Sequence, residues 1–401
     1  MADLVLTADE RNILDAGFAA AFGGAPERYF SAPGRTEIGG NHTDHQRGRV
    51  LAAAVNLDTR AAVRLNGSNI IRVLSQGYPL CEVNLDRLTP VDSEVNTTPA
   101  LIRGVAARFA ELGCQVEGFD AYVTSTVLPG SGLSSSAAFE VLIGTIINIL
   151  FFDAKVSAPE IAAIGQYAEN VFFKKPCGLM DQTASAVGNL VTIDFANKEH
   201  PDIRKVDFDF SAVGYALCII DSGADHADLT DEYAAIPGEL KSVAAYFGKE
   251  VLTQVDEAEF YAKLPAVRKT CGDRAVMRAI HVFEDNARVV KQVAALEQGD
   301  FDTFLKLVTE SGQSSYMYLQ NVIPTGNTLH QEVAVALALC RHALQGQGAY
   351  RVHGGGFAGT VQAFVPLTML DSFRAQIDGA LGAGACHALS IRPQGGVELK
   401  I

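Results

Sequence analysis

This chain predicts an α+β protein folded in two lobes, on three grounds. Its 401 residues are too many for one simple core, which suggests two units with a site between them. Residues 50–85 alternate and are rich in Val, Ile and Leu, the pattern of several strands in one sheet, whereas the second half is helix-heavy. Antiparallel-looking strands early and helices late favour α+β over a doubly wound parallel sheet.

Local signals set the elements in order. Thr7-Ala8-Asp9-Glu10 is a capping box opening an N-terminal helix. Thr97 or Thr98 ahead of Pro99 starts a helix that ends near Gly113. Phe119, Ala121, Val123, Ser125 and Val127 share one face of a strand, and an apolar helix follows, running to about Phe152. Ser157-Ala158-Pro159-Glu160 is a second capping box, leading a helix to about Phe172. Leu190 to Phe195 reads as a strand. The polar stretch Asn197–Arg204 is the expected lobe boundary, giving lobes at 1–196 and 197–401. Helices are expected at about 228–247, 274–297, 300–312 and 326–345, with strands near 349–353, 359–365 and 387–392.

Composition excludes several functions. Hydrophobic residues make up 48% and charged residues 19%, which fits a soluble protein with a substantial interior. A net charge of −14 repels DNA, RNA and anionic lipid, so no nucleic-acid or membrane partner is expected. Any small anionic ligand then needs a local positive site. The seven cysteines are scattered and form no C-x-x-C pair, as in reduced thiols of a cytoplasmic protein. Asp3, Asp9, Glu10, Arg11 and Asp15 break any basic-then-apolar order, so no secretory signal is read. Ala137–Phe152 is interrupted by Glu140 and is short for a membrane span; it predicts a buried helix.

Three glycine-bearing segments carry the chemistry. Pro129-Gly130-Ser131-Gly132-Leu133-Ser134-Ser135-Ser136 joins a strand to a helix, where free N–H groups and the helix dipole suit a phosphate. It lacks the Gly-Lys-Ser/Thr ending of a Walker A loop. Ser135 stands where a dinucleotide fingerprint needs its third Gly, which argues against a nicotinamide or flavin oxidoreductase. Pro33 to Gln46 packs Arg35, Asn41, His42, Asp44 and His45 among three glycines; its plain reading is a polar surface loop, its functional one a site for a polyhydroxylated ligand. Asp181 falls in the first turn of a helix after Pro176 and Gly178, while Glu169 by default is a solvated helix residue. His353-Gly354-Gly355-Gly356-Phe357 is either a tight turn or a close backbone approach, with His353 read as a packed histidine.

Taken in this order, the segments resemble the GHMP kinase superfamily and, within it, the galactokinases, over nearly the whole chain. Gly34-Arg35 with His42-Thr43-Asp44 is similar to the sugar motif, Gly130 to Ala137 to the ATP-phosphate loop, Cys177 to Gln182 to the segment with the catalytic aspartate, and Gly354 to Phe357 to the third motif. The resemblance implies a ribosomal-S5-domain-2-like N-terminal lobe, a ferredoxin-like C-terminal lobe, and ATP-dependent phosphorylation of a sugar, most simply galactose, at C1. Asp181 and Arg35 would be catalytic. Asn41, His42, Asp44, Gly178 and Tyr233 would bind sugar. Gly130, Ser131, Gly132, Leu133, Ser134, Ser135 and Ser136 would bind ATP phosphates, and Ser135, Ser136 and Glu169 would hold Mg²⁺. Two positions depart from the pattern: Asn41 replaces a Glu that meets the C6 hydroxyl, and His45 replaces a Tyr. Losing that carboxylate opens galacturonate, arabinose and N-acetylgalactosamine as rival substrates. A non-catalytic sugar sensor is the other reading, disfavoured because Arg35, Asp181 and the Ser-rich loop are intact. Assembly state is left open, with a monomer as the working expectation.

Overall fold

The computed structural model describes residues 4–127, 132–197, 199–224 and 229–401. Helix α1 (Ala8–Phe22) begins at the predicted capping box, with Thr7 and Glu10 exchanging side-chain and backbone bonds. Such a cap is worth about 1 kcal/mol. Strands β1 (Arg28–Gly39), β2 (Arg49–Leu65), β3 (Ile70–Ser75) and β4 (Cys81–Asn84) follow, then α2 (Thr98–Glu111) and β5 (Phe119–Ser125). Helix α3 (Ser135–Phe151) is the predicted buried apolar helix, and α4 (Ala158–Tyr167) opens on the second capping box. Helix α5 (Met180–Val187), β6 (Leu190–Asp194) and β7 (Asp202–Val206) come next.

These seven strands and the C-terminal β12 (Val397–Glu398) form one eight-stranded sheet, ordered β12-β1-β2-β5-β3-β4, with β6 on β2 and β7 on β6. Its length lets β2 serve three neighbours: β1 along most of its course, β6 at Arg49–Ala53 and β5 at Thr59–Leu65. Helices α2, α3 and α4 cover one face, burying Ile102, Phe109, Leu142, Ile146 and Ile161 against Val63, Ile71 and Phe119.

Strand β7 lies beyond the expected boundary at 196/197 yet pairs with β6 and extends the larger sheet to Val206, and β12 returns to pair with β1. Pairing across residues far apart in sequence overrides a local drop in hydrophobicity.

Beyond Val206 lies a four-stranded antiparallel sheet. It is built from β8 (Tyr215–Asp221), a helical run of α6 (Thr230–Tyr246), α7 (Glu257–Ala262), α8 (Leu264–Cys271), α9 (Asp273–Glu297), α10 (Phe301–Ser314) and α11 (Glu332–Leu344), then β9 (Ala349–Val352), β10 (Thr360–Pro366), α12 (Leu370–Leu381) and β11 (Cys386–Leu389). The strand order β11-β8-β10-β9 is the ferredoxin-like arrangement of the expected C-terminal lobe. A shared core of Ile38, Leu51 and Leu190 with Phe210, Val289, Phe304 and Phe364 welds the two sheets together. No described helix is long and apolar enough to cross a membrane, and all seven cysteines are free.

Candidate active site

The first half of the segment read plainly as a polar surface loop, through Gly39, is instead part of the interior strand β1, and a turn with a short 3₁₀ helix at Asp44–Gln46 follows it. Residues 30–39 of β1 are all buried, and its register with β2 slips at Pro33/Arg35 and again at Glu37/Gly39. Bulges of this kind re-aim side chains beside functional sites. Between the slips the pairing is regular, Arg35 opposite Ala54 and Glu37 opposite Ala52. The two-residue period puts Arg35 and Glu37 on one face, and the small alanines leave them room.

Arg35 reaches α5. Its Nε donates to Asp181 Oδ1 at 2.6 Å and its Nη2 to Oδ2 at 2.7 Å, a bidentate pair, while Nη1 donates to the Gly132 carbonyl. The Ser134 hydroxyl also donates to Asp181. Burial alone would raise the Asp181 pKa, but the Arg35 charge, its two hydrogen bonds and that of Ser134 outweigh burial and hold the carboxyl below its usual range. It is a carboxylate at neutral pH, and its side chain is still 32% exposed.

Ser134, expected at the ATP phosphates, directs its hydroxyl to Asp181. It is the N-cap residue of α3 in the left-handed conformation (φ 55°), yet its side chain makes no cap and turns to Asp181 instead. The first turn of α3 thus has no side-chain cap, leaving its amides to a ligand. Leu133 is buried, with its carbonyl bonded to Arg35 N–H at 3.0 Å. Ser135 and Ser136 stay half-exposed at the helix start. Gly130 and Ser131, expected to touch phosphate, lie outside the described residues.

A polar cavity of about 220 Å³ opens beside the pair, lined among others by Glu37, Asp44, Gly178, Asp181 and the backbone of Gly354 and Gly355. Asp44 opens a 3₁₀ turn and is held against Gly178, where a Cβ would lie 2.6 Å from its Oδ2. Only glycine admits that approach. Gly178→Ala is therefore expected to push Asp44 aside; with Asp44 in the sugar-binding role that the resemblance implies, the KM for sugar should rise roughly tenfold, the equivalent of one charge-assisted bond, with a smaller effect on kcat. Steady-state kinetics checks the split; an unchanged KM removes Asp44 from the sugar site.

His42, at φ 61°, donates from Nε2 to the Gly355 carbonyl at 3.1 Å. Burial and the neighbouring His45 bring its pKa down to about 4, so the ring is neutral. Cys177 also lines the cavity, but burial and Glu169 push its thiol up, so it is no nucleophile at neutral pH.

His353 is the packed histidine expected. Its Nε2 accepts from Glu37 N–H at 3.3 Å and lies 3.0 Å from Thr36 Oγ1, so Nδ1 carries the proton toward Thr360 Oγ1, 2.8 Å away. Burial and the charges of Arg35 and Arg351 keep it neutral. It ties β1 to β10 behind Glu37 and is not itself among the residues lining the cavity.

Two predicted sugar contacts do not reach the cavity. Asn41 is fully buried, and all four hydrogen-bonding positions of its amide are spent on protein: Nδ2 donates to Glu37 Oε1 (3.1 Å) and the Gly354 carbonyl (2.7 Å), and Oδ1 accepts from Ser315 (3.1 Å) and Asn321 (2.9 Å). Tyr233, on α6, packs edge-on against Phe357 and donates its hydroxyl to the Gly356 carbonyl at 2.8 Å. It braces the triple-glycine loop from behind. The close approach expected of that loop is real: a Cβ on Gly356, at φ 81°, would sit 2.0 Å from the Asn321 carbonyl oxygen.

Glu169 is likewise not solvated. The α4 helix widens into a π turn at Ala168–Phe173, a feature frequent at functional sites, and this turns Glu169 inward to 3% exposure. Gln182 Nε2 bridges Glu169 Oε2 (3.0 Å) and Glu140 Oε2 (2.9 Å). Glu140 Oε1 is buried without a partner, and burial with Glu169 nearby raises the Glu140 pKa well above normal. Lys175 lies 3.4 Å from Glu169 Oε1. Glu140, Gln182 and Glu37 were missed from the sequence. A lone charge in an apolar helix, and a carboxylate two residues from Arg35 on a strand, were the available signals.

Comparison with known proteins follows this geometry. The galactokinase galactose-binding signature matches residues 16–65, and the GHMP kinase N-terminal domain matches residues 100–189. A galactokinase of Glaesserella parasuis is 32% identical over 89% of this chain and 90% of its own length. The chain belongs to the galactokinase family. A second family member, from Streptomyces coelicolor, is 31% identical over 92% of this chain and 93% of its own. The fold agrees: a Lactococcus lactis galactokinase crystallised with galactose superposes with a TM-score of 0.81 at 23% identity, covering 97% of this chain and 99% of that one. Methanococcus jannaschii mevalonate kinase gives 0.64 at 12% identity over 92% and 99%. The GHMP kinase fold is thus shared beyond the family.

Proposed function

We infer that this chain is an ATP-dependent kinase that phosphorylates galactose at C1. What carries the reading, beyond family membership, is one observation: the Arg35–Asp181 pair, joined by Ser134, spans from the sugar-sized cavity to the uncapped start of α3. Asp181 orients the C1 hydroxyl and takes its proton as the oxygen–phosphorus bond forms; the bond from the γ-phosphorus to the β–γ bridging oxygen breaks, and ADP leaves. Arg35 keeps Asp181 ionised and offsets charge on the transferring group. Asp44 accepts from ring hydroxyls, Gly178 makes room for it, and His42 fixes the Gly355 wall. Asn41 and Tyr233 support the pocket without touching sugar.

The chemistry of the donor set fits Mg²⁺: a serine hydroxyl at the phosphate end of α3 and the Glu169 carboxylate, both hard oxygens and few in number. Ser136 is the better serine. It stands one turn from Glu140 on the same face of α3, and Glu140 is bridged to Glu169 through Gln182. When bound, the ion supplies charge neutralisation at the phosphates. Ser136→Ala is expected to raise the Mg²⁺ concentration for half-maximal activity roughly tenfold, with Ser135→Ala within about twofold of the parent. Equal shifts in the two variants would contradict the choice of Ser136.

The deciding assay is sugar-dependent ADP release with ATP and Mg²⁺ across galactose, galacturonate, arabinose, N-acetylgalactosamine and glucose. Galactose should give the highest kcat/KM. Galacturonate should be poor, because Glu37, Asp44 and Asp181 already crowd the cavity with carboxyl groups. Sugar binding without ADP release would turn the reading toward a sensor. A monomer in the cytoplasm, with ATP and sugar as its small-molecule partners, completes the proposal.

A further inference from the structure

We propose that Glu37 is a sugar-contacting, specificity-determining residue of this pocket, accepting a hydrogen bond from a hydroxyl at the end of the sugar remote from C1 and excluding acidic sugars. The inference rests on the sugar-kinase reading above and deepens it.

Four observations carry it. Glu37 lines the same cavity as Asp44 and Asp181 although it is only 4% exposed. Its recorded side-chain bonds, from Asn41 Nδ2 and Arg351 Nη2, both fall on Oε1, and Oε2 is not among the buried polar atoms without a partner. One oxygen is thus clamped and the other is left to the cavity. Arg351 is itself fully buried, with Nη1 on the Ile38 carbonyl at 2.9 Å and Nε on the Val352 carbonyl at 2.9 Å, so the clamp is rigid. Position along β1 sets the reach: Glu37 is two residues beyond Arg35 on one face, a separation of about 6.6 Å. With C1 held at Asp181, a group at that remove meets the far side of a hexose ring.

The arrangement also changes the meaning of Asn41. A neutral amide there predicts a pocket that has lost a carboxylate. The structure puts a carboxylate back, 3.1 Å from that amide and held by it. Acidic sugars therefore meet a further carboxyl group in the pocket, one whose pKa burial raises against the opposing charge of Arg351.

The test is a kinetic cycle on the full chain with ATP and Mg²⁺. Galactose, its 2-, 4- and 6-deoxy forms, galacturonate and the neutral primary amide of galacturonate are compared in the parent, Glu37→Gln and Glu37→Asp. In the parent, one of the 4- and 6-deoxy sugars should lose roughly tenfold or more in kcat/KM, and galacturonate should be worse than its amide by a similar factor. Glu37→Gln should shrink both penalties to within about threefold while the 2-deoxy penalty stays put. Glu37→Asp, which keeps the charge facing Arg351, should retain the galacturonate penalty and lose the deoxy one. A galacturonate rate equal to that of its amide in the parent overturns the proposal whether or not the variants fold. So do deoxy penalties that are the same in parent and Glu37→Gln. Parent enzyme that phosphorylates no sugar overturns the kinase reading as well, whereas a flat cycle on an active parent overturns the Glu37 assignment alone.

Discussion

Asp181→Asn lowers kcat by about 10²- to 10⁴-fold and leaves the KM for galactose within several-fold. The exchange keeps the size of the side chain and one acceptor for Arg35, so the α5 start and the cavity wall persist. What is lost is the group proposed to receive the C1 proton. Because a base acts in the transition state and contributes little to ground-state binding, the loss falls on kcat and kcat/KM together. Steady-state kinetics with a coupled ADP readout separates the two constants. Turnover near the parent rate would sink the assignment of Asp181, and a large KM rise with intact kcat would recast it as a binding residue.

Arg35→Ala is expected to be nearly as severe, with a different pH signature. Arg35 is buried and bidentate to Asp181, so its removal strips the carboxylate of its main stabilising charge. In the intact protein that charge holds the Asp181 pKa below its usual range. With Asp181 as the proposed base, activity should need the ionised carboxylate and be lost as pH falls through this pKa. Without Arg35, burial is opposed only by the Ser134 hydrogen bond and the more distant Lys175 charge, and the pKa rises, so the acid limb of kcat/KM should move to higher pH. Breaking a buried pair costs about 3–5 kcal/mol. Asp181 keeps about a third of its side chain in solvent, which puts the stability loss at or below the low end of that range. A kcat/KM profile in which the variant's acid limb coincides with the parent's would show that Arg35 does not tune Asp181.

Much of the fold was legible because its signals are local. The two capping boxes start α1 and α4 where Thr7 and Ser157 indicated. The apolar run after the Ser-rich loop is α3, and the motif pairing of Arg35 with Asp181 is met by two hydrogen bonds across 146 residues. β1 was hidden by its own chemistry: glycines, an arginine and a glutamate inside a strand look like a loop until the bulges and the buried partners are seen. β7 and β8 were missed for similar reasons. β7 alternates weakly, Asp202-Ile203-Arg204-Lys205-Val206, and takes its place from β6, while β8 takes its place from β10 and β11.

By itself the sequence determined which chemistry was present: a phosphate-type helix start, a carboxylate with a matching arginine, and glycines where backbones must crowd. Tertiary structure decided which of those side chains face the cavity. Asn41 is turned inward by Ser315 and Asn321, 274 and 280 residues away, and Glu37 is clamped by Arg351, 314 away. Caps and periodicity act over one or two turns of chain, so residues nearby in sequence encode them. The direction of a buried polar group is set by whichever distant donors and acceptors satisfy it, since leaving it unpaired costs more than any local preference supplies.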